Sequence, residues 1–237
     1  MKTGNPPFQP WLGVFETLRV VRGRALFLEE HWLTLQESAQ ALGLAASADL
    51  RKQVSALPRE DGRWRWIVTP EGTRDLFQPE EPEKRKTFTL ALSAQRIGSE
   101  NWDARHKTLS YLTHWQARQA ARAADADEAV LLNEHGEIAT GAMTNLFWVA
   151  DGKLHTPPPE AGCRSGVVRQ WVLGQTEVAI GSHPLPSLDG ADEIFVTNSL
   201  IGIMPVSRFG DRNYPTGPVT SALLQKYRAA IGESTVT

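Results

Sequence analysis

Lys107 stands in "RHKTLSYL", directly after Arg105 and His106. Neighbouring positive charge disfavours protonation of an amine and lowers its pKa, and an unprotonated lysine can form a Schiff base with a carbonyl. A second set of residues suits an anion. "GCRSGVVRQWVL" places glycines just before a helical pattern, so Val167 and Val168 open a helix with backbone N–H groups to spare. "TNS", Thr197 to Ser199, makes a polar turn after a strand. Together these would give a dianionic phosphate several N–H and hydroxyl donors.

Other chemistries lack their residues. The chain has no G-x-S-x-G, Walker-type G-x-x-x-x-G-K, G-x-G-x-x-G or H-E-x-x-H motif. Cys163 with His155 could be imagined as nucleophile and base, but nothing in the sequence orients that pair, and a reactive thiol needs a specific electropositive setting. The six histidines are scattered without metal-ligand spacing, and His31 and His114, each on a helix, read as structural.

The elements that must position Lys107 and the anion site follow from periodicity. "VFETLRVVRGRALF" alternates around Arg22 to Arg24 as a hairpin. Leu28, Trp32, Leu35, Ala39 and Leu42 recur at helical spacing before Gly43. A short second helix ends at Pro58, and Trp64, Trp66 and Val68 alternate as a strand. The charged, proline-bearing stretch Phe77 to Lys86 reads as a linker. Beyond it, "TFTLALSAQRI" is a strand and "KTLSYLTHWQARQAARAADA" a helix with Leu109, Leu112, Trp115 or Gln116, and Ala120 along one face. A strand meander from Asp127 to Pro159 follows, then the helix after Gly166, the strand before "TNS", and a final helix with Pro218 in its first turn. The expected organisation is a two-domain α/β (α+β) fold: a small N-terminal α/β domain over residues 1–86 and a larger domain over 87–237 that carries the Lys107 constellation.

With 41% hydrophobic and 22% charged residues, the chain of 237 residues has the composition of an ordinary globular protein. A net charge of -2 argues against a nucleic-acid binder, which needs a concentrated basic face. One cysteine excludes an internal disulfide and suits a reducing compartment. The start "MKTGNPPFQPWLG" has no signal-peptide run and no apolar stretch reaches membrane-spanning length, so a cytoplasmic location is expected.

The order of "VFETLRV", "LEEHWLTLQESAQALGL", "KTLSYL", "DEAVLLNEHGEIATGAMTNLFWVADGKLHTPPP", "SGVVRQWVL", "DEIFVTNSLIGIMPV" and "GPVT" resembles the class IV aminotransferase family, the fold-type IV enzymes that use pyridoxal 5'-phosphate. The resemblance implies that Lys107 matches the lysine that binds the cofactor and then shuttles the proton. It also implies that Val167 and Val168 hold the phosphate through their N–H groups, with Asn198 and Ser199 as the second phosphate turn. Tyr111 matches a tyrosine at the cofactor's phenolic oxygen, and Phe15 an aromatic near the substrate. A β-barrel-like, cofactor-binding domain over 87–237 and a homodimer with its pocket between the domains are implied as well.

The chain departs from the family pattern at three places. The usual N-terminal hairpin with a G-D-G turn is missing ahead of "VFETLRV". In the family's H-x-x-R-L the arginine binds the phosphate, whereas "HWLTL" has Thr34 there; losing a charge-assisted bond of about 1.5–3 kcal/mol weakens binding roughly ten- to a hundredfold unless another cation replaces it, and Arg105 and Arg169 are candidates. Where the family has a glutamate that keeps the pyridine nitrogen protonated, "GEIATGAMTNLFWV" has Thr140. A threonine hydroxyl can donate to an unprotonated nitrogen but supplies no counter-charge. The weaker electron sink favours β-elimination, of the kind that converts 4-amino-4-deoxychorismate to 4-aminobenzoate and pyruvate for folate synthesis. The alternatives are a D-amino-acid or branched-chain aminotransferase, and a degenerate member that binds the cofactor without turnover.

Overall fold

The computed structural model describes residues 11–233. The expectation of a shortened N-terminal edge rests on residues 1–10 and lies outside them. The chain forms two compact units, the first running to Pro82 and taking back His106–Tyr111, the second comprising Glu83–Arg105 and the chain from Leu112 onward.

In the first unit, β1 (Val14–Val21) turns through Arg22 and Gly23, both at positive φ, into β2 (Arg24–Ala25). Two residues at positive φ are what a tight twisted hairpin requires. Helix α1 (Leu28–Ala41) and the short α2 (Asp49–Lys52) precede β3 (Gly62–Thr69) and β4 (Gly72–Pro79), giving the sheet order β2-β1-β3-β4. Alternation sends Leu18, Trp64 and Trp66 to one face, where they pack with Trp32 and Leu35 of α1, all buried. Strand β4 overlaps the stretch expected to be linker. Its residues are exposed or half-buried along their whole length, so an edge strand with little apolar alternation reads as a charged connector.

The second unit builds a larger sheet from β5 (Phe88–Ile97), β6 (Glu128–Asn133), β7 (Ile138–Gly141), β8 (Asn145–Ala150), β9 (Lys153–Thr156), β10 (Ala179–Ile180), β11 (Glu193–Asn198) and β12 (Gly202–Phe209), with β13 (Arg212–Asn213) beside β12. Its order is β10-β9-β8-β11-β12-β5-β6-β7. Strands β7 and β8 stand far apart in that order, yet a tight turn joins them, with Gly141 N–H donating to the Thr144 carbonyl at 2.8 Å. The sheet must therefore curl back toward itself. Its enclosed face carries Leu90, Val130, Ile138, Leu146, Trp148 and Val196. Outside it lie α3 (Trp102–Arg105), α4 (Leu112–Ala123), α5 (Val167–Leu173) and α6 (Pro218–Ile231).

Helix α4 begins at Leu112, later than its apolar spacing predicts, and buries the opposite stripe. His114, Ala117 and Ala121 face the sheet, while Leu112 is 64% and Trp115 54% exposed. The close approach is made by small side chains, with Ala129 and Ala139 opposite. At the far end, Glu193 accepts from the N–H groups of Val219 at 3.1 Å and Thr220 at 2.7 Å, tying the first turn of α6 to β11. A Cβ on Gly217 would fall 2.2 Å from that carboxylate, so the cap requires glycine there. Glu193→Ala strands two helix-start donors and should lower the unfolding free energy by about 1–3 kcal/mol in urea titrations; unchanged stability would show that the cap is idle.

Candidate active site

Lys107 belongs with the first unit rather than the second, for a backbone reason. Residues 107–109 add to the edge of β1: Phe15 N–H donates to the Lys107 carbonyl at 2.9 Å, Leu109 N–H to the Gly13 carbonyl at 2.9 Å, and Val14 and Thr108 form a bridge. Gly13 permits this approach, since a Cβ there would meet the Val68 carbonyl at 2.6 Å and a Leu109 methyl at 2.8 Å. The pairing holds Lys107 beside Phe15, with its Nζ 5.0 Å from the ring centroid. Tyr111 meets the same ring edge-on at 5.7 Å. These three sequence-predicted residues are thus brought together in one place, on extended chain rather than at a helix start.

Behind β1, Glu16 and His31 form a buried pair with Nδ1 2.8 Å from the carboxylate. Thr34 donates its hydroxyl back to the Glu30 carbonyl at 2.9 Å, an ordinary helical use of threonine. Arg105 is spent on an exposed pair with Glu100 at 3.3 Å.

The second unit holds the remaining candidates. Gly166 caps α5 in extended conformation, so the N–H groups of Val167 and Val168 lie in its unsatisfied first turn. Asn145 positions this start: its Nδ2 donates to the Arg164 carbonyl at 2.7 Å, and a Cβ on Gly166 would lie 2.3 Å from its Oδ1. Helix α5 packs on β11, whose Thr197 is fully buried with its hydroxyl oxygen unpartnered. Asn198 is a turn-former. Its Oδ1 accepts from the N–H groups of Leu200 and Ile201, each at 2.9 Å, and its Nδ2 donates to the Met143 carbonyl at 3.1 Å. That leaves the half-buried Ser199 of this turn for a ligand.

Arg169 is 2% exposed; one Nη donates to the Pro157 carbonyl at 2.9 Å while its Nε has no partner. Cys163 lies in the same buried layer. Its Sγ takes an Asn145 N–H at 3.3 Å, and burial pushes the thiol above its ordinary range, which suits packing rather than nucleophilic work. His155 is engaged elsewhere, stacked on Trp148 at 5.5 Å. Among the described residues no group of three His, Cys, Asp or Glu side chains is placed to hold a metal ion.

Thr140 lies on β7, buried, and donates its hydroxyl to the Thr144 carbonyl at 2.8 Å. Its one proton is therefore used inside the β7–β8 turn, and only oxygen lone pairs remain for a ligand. The same turn is held from below by Glu128, whose carboxylate accepts from Ala142 N–H at 3.0 Å and Met143 N–H at 2.9 Å. The Met143 peptide is thereby fixed on both sides, its N–H by Glu128 and its C=O by Asn198. Glu128 shows no periodic or motif signal that separates it from an ordinary strand residue, which is why sequence reasoning passed over it.

A model of the class IV aminotransferase family matches residues 13–209. The aminodeoxychorismate lyase of Bacillus subtilis is 31% identical over 253 residues, covering 93% of this chain and 86% of that one. The branched-chain aminotransferase of Thermoproteus uzoniensis, solved with norvaline, superimposes with a TM-score of 0.84 at 26% identity, covering 94% of this chain and 87% of that one. A branched-chain aminotransferase from T.th., complexed with N-(5'-phosphopyridoxyl)-L-glutamate, gives 0.81 at 25% identity over 94% of this chain and 86% of that one. The chain belongs to the class IV aminotransferase family and is a pyridoxal-phosphate-dependent enzyme. Its residues fit the cofactor's phosphate in donor chemistry: the N–H groups opening α5, the orphaned Thr197 hydroxyl and the unpaired Arg169 Nε. No helix of the described residues is long and apolar enough to cross a membrane.

Burial holds the Glu128 carboxyl above its usual range, against opposing N–H donors from Ala129 and Met143 and the charge of Arg118. The folded state therefore keeps this proton in a window above the reference value of 4.5 in which the unfolded chain releases it. The resulting stabilisation is present below the unfolded pKa and is lost as pH rises through the folded one. Urea unfolding across that window should show the wild type losing stability relative to Glu128→Gln as pH increases; parallel curves would contradict it.

Proposed function

We propose that the enzyme is a β-eliminating lyase that converts 4-amino-4-deoxychorismate to 4-aminobenzoate and pyruvate. The observation that carries this reading is the Thr140 hydroxyl donated to Thr144. At the position where the family places an acid for the pyridine nitrogen, this chain offers neither a counter-charge nor a free donor.

The cofactor supplies an electron sink that acidifies the carbon bearing the substrate's amino group. In this reading it is held by Lys107 and by the N–H groups of Val167 and Val168, with Ser199 as a further donor. The Lys107 amine takes the proton from that carbon. The enol ether C–O bond then breaks, the ring becomes aromatic, and the departing enolpyruvate takes up a proton to become pyruvate. Phe15 and Tyr111 pack beside the lysine and restrict where its amine points. A weak sink suffices because aromatisation drives the elimination, whereas transamination depends on a long-lived carbanion reprotonated elsewhere. The likeness to the Bacillus subtilis lyase supports this substrate.

The reading includes a homodimer, supported by the exposed Leu112 and Trp115 on the outer face of α4. Sedimentation should then give twice the chain mass; a monomer contradicts it.

Purified holoenzyme given 4-amino-4-deoxychorismate should release 4-aminobenzoate, and Lys107→Ala should abolish release. No product at saturating cofactor removes the assignment, and a colourless protein that takes up no cofactor points to the member without turnover. The likeness to the Thermoproteus uzoniensis aminotransferase keeps transamination as the competing outcome. It is read from conversion of the cofactor to its amine form when a D- or branched-chain amino acid is added. Thr140→Glu should speed that conversion by about tenfold or more; an unchanged rate contradicts the electronic argument.

A further inference from the structure

The larger sheet ends in two edge strands, β10 and β7, and the chain leaving β10 crosses from one edge to the other. Gly181 N–H donates to the Thr156 carbonyl of β9 at 3.3 Å. Two residues on, the His183 carbonyl accepts the Ile138 N–H of β7 at 2.8 Å, and Glu137 and Pro184 form an antiparallel bridge. Residues 181–184 are therefore a strap that covers the β7 edge. Ile138 is fully buried, so its N–H is costly to leave without this partner.

The strap is gripped through a side chain. The His183 ring meets Trp148 of β8 at 5.1 Å and His155 of β9 at 5.2 Å, nearly perpendicular to both, while His155 stacks on the same indole at 5.5 Å. Trp148 and His155 are direct cross-strand partners, which fixes the stack. Both imidazoles are half-buried, and the Nδ1 of His155 is enclosed without a partner. Uncharged, the rings pack as aromatics. One imidazolium against the indole is tolerated through its attraction to the π face. Two, with centroids 5.2 Å apart, repel each other in a place that also strips them of water. Of the strands around the pair, β8 and β10 carry no charge, and β9 brings the exposed Lys153 on the face of His155. Glu137, just ahead of β7, has its carboxylate on the Asn133 Nδ2 at 2.8 Å.

We propose that His183 and His155 form a proton-sensitive clamp on β7: with both rings uncharged the strap stays on the strand, and a second proton drives His183 out and releases the Ile138 N–H. Burial, and after it the charge of His155, hold His183 below the ordinary histidine range. The closed strap thus favours the neutral ring. Its stability is present above the ordinary pKa of 6.5 and is lost as pH falls through the lower value. The clamp does not depend on the lyase reaction. Because β7 also carries Thr140, its release loosens a strand proposed to face the cofactor ring.

The test is amide hydrogen exchange of the holoenzyme at about pH 7.5 and about pH 5, corrected for the intrinsic pH dependence of exchange. In the wild type, protection of Ile138 should fall about tenfold or more at the lower pH while the amides of β11 stay protected. His183→Phe keeps an aromatic ring against Trp148 without a titratable group, and should hold Ile138 protection at both pH values. His155→Phe leaves the pair only one proton to bind and should shrink the fall. Equal wild-type protection of Ile138 at both pH values overturns the proposal. So does an undiminished fall in His183→Phe, which would assign the response to another group such as Glu137, and so does a fall shared by β11, which is global unfolding. Where His183→Phe fails to fold, His155→Phe makes the comparison, and a fall of wild-type size there overturns the clamp as well.

Discussion

A single hydroxyl proton, given by Thr140 to the Thr144 carbonyl across 2.8 Å, is the interaction on which the proposed chemistry depends. Thr144 C=O also accepts from Gly141 N–H, so the turn between β7 and β8 is closed by two donors to one oxygen. A hydroxyl that forms part of the turn cannot be turned outward without giving up one of those two bonds, a loss of about 1 kcal/mol. In the proposed site, the turn and the electronics of the cofactor ring thus rest on the same interaction. An acid at residue 140 would reach beyond the turn, whereas threonine stays within it.

The surrounding polar groups keep that geometry fixed. Glu128 below and Asn198 beside the Met143 peptide link the turn after β7 to the turn after β11. Asn145 links β8 to the loop before α5 in the same way. Polar side chains here are buried because they replace water for backbone groups that strands and helices leave unpaired. In the other unit Lys107, the proposed catalytic lysine, depends on backbone pairing instead. Residues 107–109 extend the edge of β1, which makes the place of Lys107 a property of the sheet and of the absent side chain at Gly13.

Much of this was legible in the sequence, and the failures share a cause. Strands whose burial alternates, such as "GRWRWIVT", and helices stopped by glycine announce themselves because one face meets a core. Helix α4 misled because its large apolar residues, Leu112 and Trp115, lie outward while alanines make the contact. Strand β4 misled because an edge strand buries little. The backbone donors proposed for the phosphate, at Val167, Val168 and residue 199, follow from turn and helix-start signals. Glu128 does not, because what distinguishes it is the company it keeps across strands. Asn198 was visible as a turn residue, but only coordinates reveal that the turn itself consumes its side chain.

We propose that this enzyme leaves the ring nitrogen of its cofactor unprotonated, which confines it to reactions a weak electron sink can support. The most direct measurement is the 15N chemical shift of the ring nitrogen in holoenzyme reconstituted with labelled pyridoxal phosphate. The account predicts the shift of a neutral pyridine at neutral pH, moving to the pyridinium value in Thr140→Glu. A pyridinium shift in the wild type would contradict it.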